Sequence, residues 1–315
     1  MDVGAFGGEP FTIAQARAAG MSVGELRSGR FERVFQGVYV AAAVPITLAV
    51  RARAALLLEP AGVLSHHSAA VLLGACAPET DDVHLTVQRE RRAVRTRVAG
   101  LVVHEKQQQA LRFHGGLPVT TAPWTFLDLA AHLELTELVA AGDSLVRRAG
   151  ATPDQLAELA KATTCRGVRR ARAAAELVRS GVDSPMESRL RMLLVLAGLP
   201  EPVVGTDVHF AGGGWLAKPD LHYPAQKIAI EYDGRHHLDD PRQWRRDIAR
   251  RENLVREGWL VRVVTSRDVY TTPLILLGRI HEDLADRGHP DLPARLDLDH
   301  LPSFAIRALR RPAAA

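Results

Sequence analysis

The residues of this sequence best suited to chemistry are two carboxylates, Asp220 and Glu231, on two neighbouring predicted strands. Residues 215–222 and 227–233 both alternate between apolar and polar side chains, which predicts strands with one polar face each. A turn around residues 224–227 that closes symmetrically would place Asp220 directly opposite Glu231. The two carboxylates would then lie about 5 Å apart and destabilise the sheet unless their charge were compensated. A divalent cation such as Mg²⁺ or Mn²⁺, which prefers oxygen ligands, would compensate both.

Two other interpretations of this acidic pair remain open. A proton shared between the carboxylates would also relieve the repulsion, because it raises the pKa of one of them. Alternatively, Asp220 lies in a turn after Pro219 and Glu231 projects into solvent. The apolar neighbours Ile228 and Ile230 favour a buried Glu231 and therefore the metal site.

The elements that must position this pair follow the order helix, three antiparallel strands, helix and strand. This order is typical of an α/β fold with a mixed sheet. The predicted ranges are helix 185–198, strands 203–210, 215–222 and 227–233, helix 241–257, strand 260–265 and a closing helix from 273. Ser184, Pro185 and Glu187 supply the first helix with an N-cap, a proline at its first position and a capping-box acid. This structural role explains Glu187 without a metal.

In this order the residues resemble the PD-(D/E)xK nuclease superfamily, in particular its members similar to very-short-patch-repair endonuclease. The resemblance covers residues 184–284. It rests on Glu187, Pro219-Asp220, Glu231-Tyr232-Asp233-Gly234, His236-His237 and the segment from Asp247 to Val263. It implies a metal-dependent DNA endonuclease in which Asp220 and Glu231 hold Mg²⁺ or Mn²⁺ and Glu187 is an auxiliary ligand.

One position departs from the superfamily pattern. The usual lysine two residues after the second carboxylate is Asp233 here, which removes a cation from beside the phosphate. Lys218, which the same register places opposite Asp233, either substitutes for that lysine or neutralises Asp233. His236 is a candidate acid or base near neutral pH, or an ordinary loop histidine. The departure keeps open an alternative function, a non-catalytic DNA-binding regulator or antitoxin-type protein with a degenerate nuclease fold.

The first 43 residues predict a small DNA-binding module. Residues 11–40 read as helix, turn, helix and a short β pair, with a capping box at Ser22 and Glu25. This stretch resembles the N-terminal winged domain of AbiEi-family antitoxins, through its AAG turn, its glycine-marked arginine segment and its GVYV strand. The resemblance implies a DNA partner and a toxin or defence-system protein partner. The candidate DNA contacts are Arg27, Arg30 and Arg33, and a solvated basic face is the alternative.

Two further groups of arginines are candidates for phosphate contacts. On helix 241–257, Trp244, Ile248 and Val255 are predicted to form the buried stripe. The arginines then fall on the far side, and they are Arg242, Arg245, Arg246, Arg250 and Arg256. Asp247 and Arg251 are spaced for an ion pair beside the stripe. The second group, Arg89, Arg91, Arg92, Arg95 and Arg97, lies between predicted strands 83–87 and 101–104 on a hairpin. For both groups, an exposed basic surface is the alternative.

Two histidines of the middle region are predicted to have no metal role. Ser65 is a natural N-cap for a helix that begins with His66 and His67. Cys76 and Cys165 match neither a disulfide framework nor zinc-binding spacing, so we expect both to be small core residues.

Composition is consistent with this organisation. The 315 residues are 47% hydrophobic and 24% charged, which excludes the disordered and fibrous classes, and the net charge of +4 permits nucleic-acid binding without requiring it. No apolar run is long enough for a membrane span, and the acidic start lacks a secretory signal, so we expect a cytoplasmic protein.

We predict an α/β protein of several domains. They are a winged-helix-like module (1–43), a mostly helical AbiEi-like domain with a small sheet (44–180), a mixed-sheet restriction-endonuclease-like core (181–289) and an extended tail (290–315).

Overall fold

Helices and mixed β-sheets make up both units of the chain, which is therefore an α/β protein. A computed structural model describes residues 6, 8–78, 80–93, 97–106, 109–210, 212–234, 241–301 and 304, with the backbone alone for 241–248. The chain divides into two compact units, Met1–Leu177 and Val178–Ala315. No helix in the part of the chain so described is long and apolar enough to cross a membrane.

The start of the first unit is a small sheet with two short helices. Its elements are β1 (Phe11–Thr12), α1 (Ile13–Ala18), α2 (Val23–Leu26), β2 (Phe31–Phe35) and β3 (Val38–Ala41). The sheet order is β1-β3-β2, so a strand that the sequence did not predict precedes the helices. Ser22 and Glu25 form the predicted capping box at the start of α2. The predicted order of helix, turn, helix and β pair is confirmed.

The remainder of the first unit surrounds a five-stranded mixed sheet of order β6-β5-β4-β8-β7. Its strands are β4 (Val63–Leu64), β5 (Val83–Val87), β6 (Leu101–Glu105), β7 (Leu111–His114) and β8 (Leu117–Thr120). Its helices are α3 (Leu48–Leu58), α4 (His66–Leu72), α5 (Ala122–Leu129), α6 (Leu135–Ala149), α7 (Pro153–Ala162) and α8 (Val168–Leu177). Cys76 and Cys165 are both partly exposed, so the prediction that they are core residues is wrong.

The arginine-rich segment after β5 is not a hairpin, contrary to the prediction. Strands β5 and β6 pair in parallel, and parallel strands need a crossover connection. Within the crossover Arg92 donates to Glu105 at 2.6 Å, so this arginine already has an acidic partner. Arg95 lies outside the described residues.

The second unit contains a four-stranded mixed sheet of order β14-β13-β12-β9 and a separate pair, β10-β11. Its helices are α9 (Pro185–Leu196), α10 (Pro241–Arg256), α11 (Ser266–Tyr270) and α12 (Pro273–Asp286). Its strands are β9 (Val203–Val204), β10 (Val208–His209), β11 (Trp215–Ala217), β12 (Leu221–Tyr223), β13 (Ile228–Asp233) and β14 (Leu260–Thr265). The predicted order of elements and the mixed sheet are confirmed.

Two predicted strands are each divided between the two sheets. Residues 203–210 form β9 and β10, and residues 215–222 form β11 and most of β12. Pro219 lies between β11 and β12, where a residue without a backbone N–H cannot continue a ladder of hydrogen bonds. Gly205 separates β9 from β10 and approaches Gly181 so closely that a Cβ at Gly205 would lie 2.5 Å from the Cα of Gly181.

The central hairpin of the second unit has the predicted register. Leu221 pairs with Ile230, and Tyr223 pairs with Ile228. A turn closes the hairpin, in which the N–H of Lys227 donates to the carbonyl of Pro224 at 3.2 Å. Strand β13 then pairs in parallel with β14, which leaves β13 in the middle of the sheet.

The segment after residue 290 lies against the second unit and is not an appendage. The N–H of Asp297 donates to the carbonyl of Ala197 at 3.0 Å, and the ring of His281 donates to the carbonyl of Pro293 at 2.9 Å. Phe304 is only 2% exposed. The described part of the predicted extended tail therefore belongs to the packed structure.

Candidate functional site

Three carboxylates from a helix, a bend and a strand lie together in the second unit, and we call Glu187, Asp220 and Glu231 the acidic cluster. Glu187 lies in the first turn of α9, Asp220 directly precedes β12, and Glu231 lies within β13. Glu187 and Glu231 are 7% and 3% exposed. Because Leu221 pairs with Ile230, the next positions along the two strands bring Asp220 beside Glu231. Proximity of the predicted pair is therefore confirmed.

Asp220 occupies a bend rather than a strand position. Its Oδ2 accepts a hydrogen bond from the N–H of Tyr232 at 2.7 Å, so the side chain takes the place of a ladder hydrogen bond just before β12 begins. The alternative in which Asp220 follows Pro219 in a bend is thus correct for the backbone. The other half of that alternative, an exposed Glu231, is wrong.

Two arginines of α10 neutralise Glu231. An Nη2 atom of Arg250 lies 3.1 Å from Oε1, and Nε of Arg251 donates to Oε2 at 2.8 Å. A buried carboxylate needs such partners because burial of an unpaired charge is costly. The prediction that Arg250 lies on the far side of α10 is therefore wrong, and the predicted pairing of Arg251 with Asp247 stays a prediction because the side chain of Asp247 lies outside the described residues.

The buried face of α10 also differs from the prediction. Val255 is 59% exposed, whereas its neighbour Leu254 is fully buried against Ala229 and Trp259 in a core cluster. The side chains of Trp244, Ile248, Arg242 and Arg246 lie outside the described residues, as do those of Arg245 and Asp247.

Glu187 has a raised pKa and two backbone contacts that hold it in place. Burial, together with the nearby charge of Asp220, raises the pKa of Glu187 to about 7. Its Oε2 accepts from the N–H of Asp183 at 2.9 Å, and its own N–H donates to Ser184 at 3.2 Å, so the predicted N-cap is present. Burial also raises the pKa of Asp220, and the charge of Glu231 adds to this effect.

The remaining predicted residues of the site are placed differently. Nζ of Lys218 donates to Oδ2 of Asp183 at 2.7 Å, so the prediction that Lys218 faces Asp233 is wrong. The reason is that β11 ends at Ala217, and Lys218 lies between strands of two different sheets. Asp233 ends β13 opposite Thr265 of β14. His236 lies outside the described residues.

The candidate DNA-binding arginines of the N-terminal module are all exposed. Arg27 ends α2, Arg33 lies in β2, and Arg30 lies between the two elements. Arg30 is 3.7 Å from Glu25 and its guanidinium lies 6.0 Å from the ring centre of Phe31. A role of these side chains in DNA binding stays a prediction.

A group of histidines in the first unit, which we call the histidine cluster, was missed by sequence reasoning. It consists of His66, His84 and His104. Among the described residues, these form the one group of three or more potential metal ligands whose ligand atoms all lie within 4.8 Å of one another. The acidic cluster is therefore more widely spread than the histidine cluster.

The predicted N-cap role of Ser65 is wrong, whereas the prediction that His66 and His67 have no metal role stays a prediction. Ser65 precedes α4 but makes no capping hydrogen bond. Instead its Oγ accepts from Thr86 at 2.7 Å and contacts Nδ1 of His66 at 2.9 Å. The available signal was the alternation in β5, where His84 and Thr86 share one face.

Comparisons with known proteins give relatives but no activity. No protein-family model matches the chain. The chain is 27% identical over 262 residues to two proteins of Mycobacterium tuberculosis, Uncharacterized protein MT2308 of strain CDC 1551 / Oshkosh and Uncharacterized protein Rv2248 of strain ATCC 25618 / H37Rv. Each match covers 82% of this chain and 94% of the relative. The crystal structure of RV2827C protein from the same species is similar with a TM-score of 0.37 and 15% identity, over 64% of this chain and 78% of that chain.

Proposed function

We propose that the chain is a divalent-metal-dependent DNA endonuclease whose Mg²⁺ or Mn²⁺ binds at the acidic cluster. The observation that carries the proposal is the proximity of three carboxylates from separate parts of the chain, in which the β12–β13 register brings Asp220 beside Glu231 and Glu187 lies close to Asp220. Such oxygen donors suit a hard cation. The resemblance of residues 184–284 to PD-(D/E)xK nucleases supplies the reaction class.

The charges of the acidic cluster fit a cation. If all three carboxylates are ionised, they outnumber the guanidinium groups of Arg250 and Arg251 beside Glu231. Burial raises the pKa of Glu187 to about 7 and the nearby charge of Asp220 adds to this effect, so that a proton near neutral pH neutralises one of the three carboxylates. A divalent cation held by Asp220 and Glu187, with Glu231 beside it, would replace that proton.

The chain's own residues would then divide the work. When bound, the cation would lower the pKa of its water and neutralise charge on the scissile phosphate. Arg250 and Arg251 fix the carboxylate of Glu231, and the N–H of Tyr232 fixes that of Asp220. Glu187, with a pKa of about 7, is able to exchange a proton under physiological conditions.

A plasmid assay tests this proposal. We expect the purified full chain to nick or cut supercoiled plasmid with Mg²⁺ or Mn²⁺ and to do nothing in EDTA. Asp220→Asn keeps the acceptor for Tyr232, and Glu231→Gln keeps the shape, yet both should lose about 100-fold or more in rate. Glu282→Gln, at an exposed position of α12, is the matched control and should cut at the wild-type rate. A folded wild-type protein that cuts nothing with either ion contradicts the proposal.

A specific observation favours a second candidate, a non-catalytic DNA-binding regulator of the antitoxin type. Arg250 and Arg251 already neutralise Glu231, and Asp233 stands where the superfamily has lysine. This candidate predicts DNA binding without metal, and a toxin-type protein partner.

The two candidates differ in which substitutions matter. The regulator predicts salt-dependent binding of a fluorescent duplex in EDTA that survives Asp220→Asn. Combined Arg27→Gln, Arg30→Gln and Arg33→Gln should weaken it by about tenfold or more. The matched control neutralises Arg147, Arg148 and Arg169, which are exposed elsewhere in the first unit. Equal affinity of the two triple variants argues against the regulator.

A further inference from the structure

The histidine cluster brings together one helix and two parallel strands. His66 begins α4, His84 lies in β5, and His104 lies in β6. In the β5–β6 pairing Thr86 is the partner of His104, so His84 is two residues away on the same face of the sheet. Nδ1 of His84 lies 3.0 Å from Nε2 of His104, and the ring of His66 stacks on that of His104 with centroids 3.6 Å apart.

Burial makes this arrangement of imidazoles unusual. His66 and His84 are 4% and 9% exposed, and His104 is half-buried. Each neutral imidazole has one nitrogen lone pair, so three rings that meet in this way bring three lone pairs to one place. The hydrogen bond between two of the rings uses only one of them. Such convergence of neutral imidazoles is the arrangement that a transition-metal ion requires.

The backbone at His66 is also held in an uncommon conformation. His66 has φ of 51°, in the left-handed region that side chains other than glycine rarely adopt. Such conformations are strained and persist where the surroundings determine them, often at functional sites. Here the conformation allows the first residue of α4 to reach the face of β5 and β6.

Groups around the cluster match those that orient metal-binding histidines. Nδ1 of His66 lies 2.9 Å from Oγ of Ser65 and 3.7 Å from Oδ2 of Asp128. Asp128 is itself buried and forms an ion pair with Lys106. A ligating histidine typically has a hydroxyl, carbonyl or carboxylate at its other ring nitrogen, and a metal bound through Nε2 of His66 would leave these contacts in place.

A solvent-exposed histidine lies next to the cluster. The exposed His132 places its ring centre 5.3 Å from that of His66 and 6.3 Å from that of His104. The cluster therefore borders a solvent-exposed side chain. His132 is not one of the three residues whose ligand atoms converge. A tetrahedral ion bound by those three would therefore keep a fourth coordination position for water or an external ligand.

We propose that His66, His84 and His104 form a site for one divalent transition-metal ion of the Zn²⁺ class, separate from the acidic cluster. With bonds of about 2.0–2.1 Å in a tetrahedral site, ligand nitrogens lie roughly 3.4 Å apart. The three ligand atoms lie within 4.8 Å, so modest side-chain rotations complete the coordination. Three nitrogen ligands and an open fourth position are typical of a site that activates water or binds a small ligand. This inference does not depend on the proposed nuclease activity.

The first test measures Zn²⁺ binding to the full chain against a competing chromophoric chelator. We use the Asp220→Asn and Glu231→Gln background so that the acidic cluster does not contribute. We expect one equivalent of Zn²⁺ to bind, with an affinity that falls by more than about 100-fold in His84→Ala and in His104→Ala. The matched control, His114→Ala, removes an exposed histidine of β7 and should bind like the parent. Binding that is absent, or unchanged in both cluster variants, overturns the proposal.

A second measurement needs no substitution in the cluster and so does not depend on the folding of the variants. X-ray absorption of the full chain loaded with one equivalent of Zn²⁺ should show about three imidazole nitrogens at roughly 2.0–2.1 Å. A first shell of oxygen alone would place the ion at carboxylates and overturn the proposal. Replacement of Zn²⁺ by Co²⁺ should give the visible absorption of a tetrahedral site, and a colourless protein with bound Co²⁺ would contradict it.

Discussion

The acidic cluster of the second unit and the histidine cluster of the first unit are both buried sets of titratable groups. Burial acts on both in the same physical direction, because it disfavours the charged form. It therefore raises the pKa of Glu187 to about 7 and lowers the pKa of His84 to about 4. The two clusters differ in what compensates them. In the acidic cluster, the guanidinium groups of Arg250 and Arg251 neutralise the buried charge of Glu231. The histidines avoid a buried charge by becoming neutral, and they keep their lone pairs.

This difference indicates which ligand each cluster prefers. Carboxylates that carry excess charge compete for a proton or a hard cation, and oxygen ligands favour Mg²⁺ or Mn²⁺. Neutral imidazoles do not need charge compensation and favour a borderline ion such as Zn²⁺. The two clusters should therefore respond to pH in opposite directions, and the predictions that follow use this opposition.

The largest expected effect is loss of stability of the first unit in acid. Burial lowers the pKa of His84 to about 4 and that of His104 to about 3. Between these values and the unfolded value of about 6.5, the unfolded chain binds more protons, so stability falls as the pH drops. We expect a loss on the order of 4 kcal/mol for the two histidines between pH 7.5 and pH 5. Urea unfolding with pulsed hydrogen exchange and mass spectrometry measures each unit separately.

The other groups near the cluster modify this effect without changing its sign. Burial also lowers the pKa values of His66, His67 and His132, and the ammonium group of Lys106 lies beside Asp128. Burial raises the pKa of Asp128, which opposes the histidines. Combined His84→Gln and His104→Gln should remove the part of the pH dependence that these two histidines contribute, on the order of 4 kcal/mol, and His114→Gln should leave the pH dependence unchanged. A first unit equally stable at both pH values would show that the histidines are not buried in neutral form.

The acidic cluster and the histidine cluster also differ in how far the sequence predicts them. Alternation in two short strands and a tight turn were sufficient to predict the pairing that brings Asp220 beside Glu231, because an antiparallel hairpin is a local structure. The histidine cluster requires the parallel pairing of β5 and β6 and the placement of α4 beside them. Parallel pairing depends on a crossover, which the pattern of either strand alone does not reveal.

Compensating charges were missed for a related reason. The pattern of α10 predicted that Val255 is buried and that Arg250 faces away from the sheet. The structure instead buries Leu254, and Arg250 and Arg251 contact Glu231. The requirement for these arginines arises only once Glu231 is buried in the folded unit, so a single-helix pattern does not contain it. Likewise, Pro219 was used as part of a motif, although its missing N–H ends a strand.

A medium effect should follow loss of one of the two arginines that contact Glu231. Arg251→Met leaves Glu231 buried with a single guanidinium, and removal of one member of a buried pair costs about 3–5 kcal/mol. Because the side chain of Arg251 is 37% exposed, we expect the lower end, about 3 kcal/mol, for the second unit. When Glu231→Gln is combined with Arg251→Met, we expect at least half of the lost stability to return, since Glu231 then no longer leaves a buried charge. Urea unfolding of the second unit measures both variants.

The matched control for this change lies on the same helix. Arg256 is 74% exposed and lies 3.7 Å from Glu252, an exposed pair of the kind that contributes little. Arg256→Met should change stability by less than about 0.5 kcal/mol. If Arg251→Met is equally harmless, the arginines do not compensate Glu231, and the proposed difference between the two clusters disappears.

The smallest expected effect has the opposite dependence on pH from that of the histidines. Burial and the charge of Asp220 raise the pKa of Glu187 to about 7, above its unfolded value. Between about 4.5 and 7 the folded chain therefore binds more protons, and stability falls as the pH rises. Glu187→Gln keeps an acceptor for the N–H of Asp183 but carries no charge. Relative to wild type, it should stabilise the second unit on the order of 1–2 kcal/mol more at pH 8 than at pH 5.

The same substitution should weaken Mg²⁺ binding in calorimetry and remove the proton release that accompanies it near pH 7. Equal stabilisation at both pH values would mean that Glu187 is ionised without penalty, and the acidic cluster would then have no excess charge for a cation to replace.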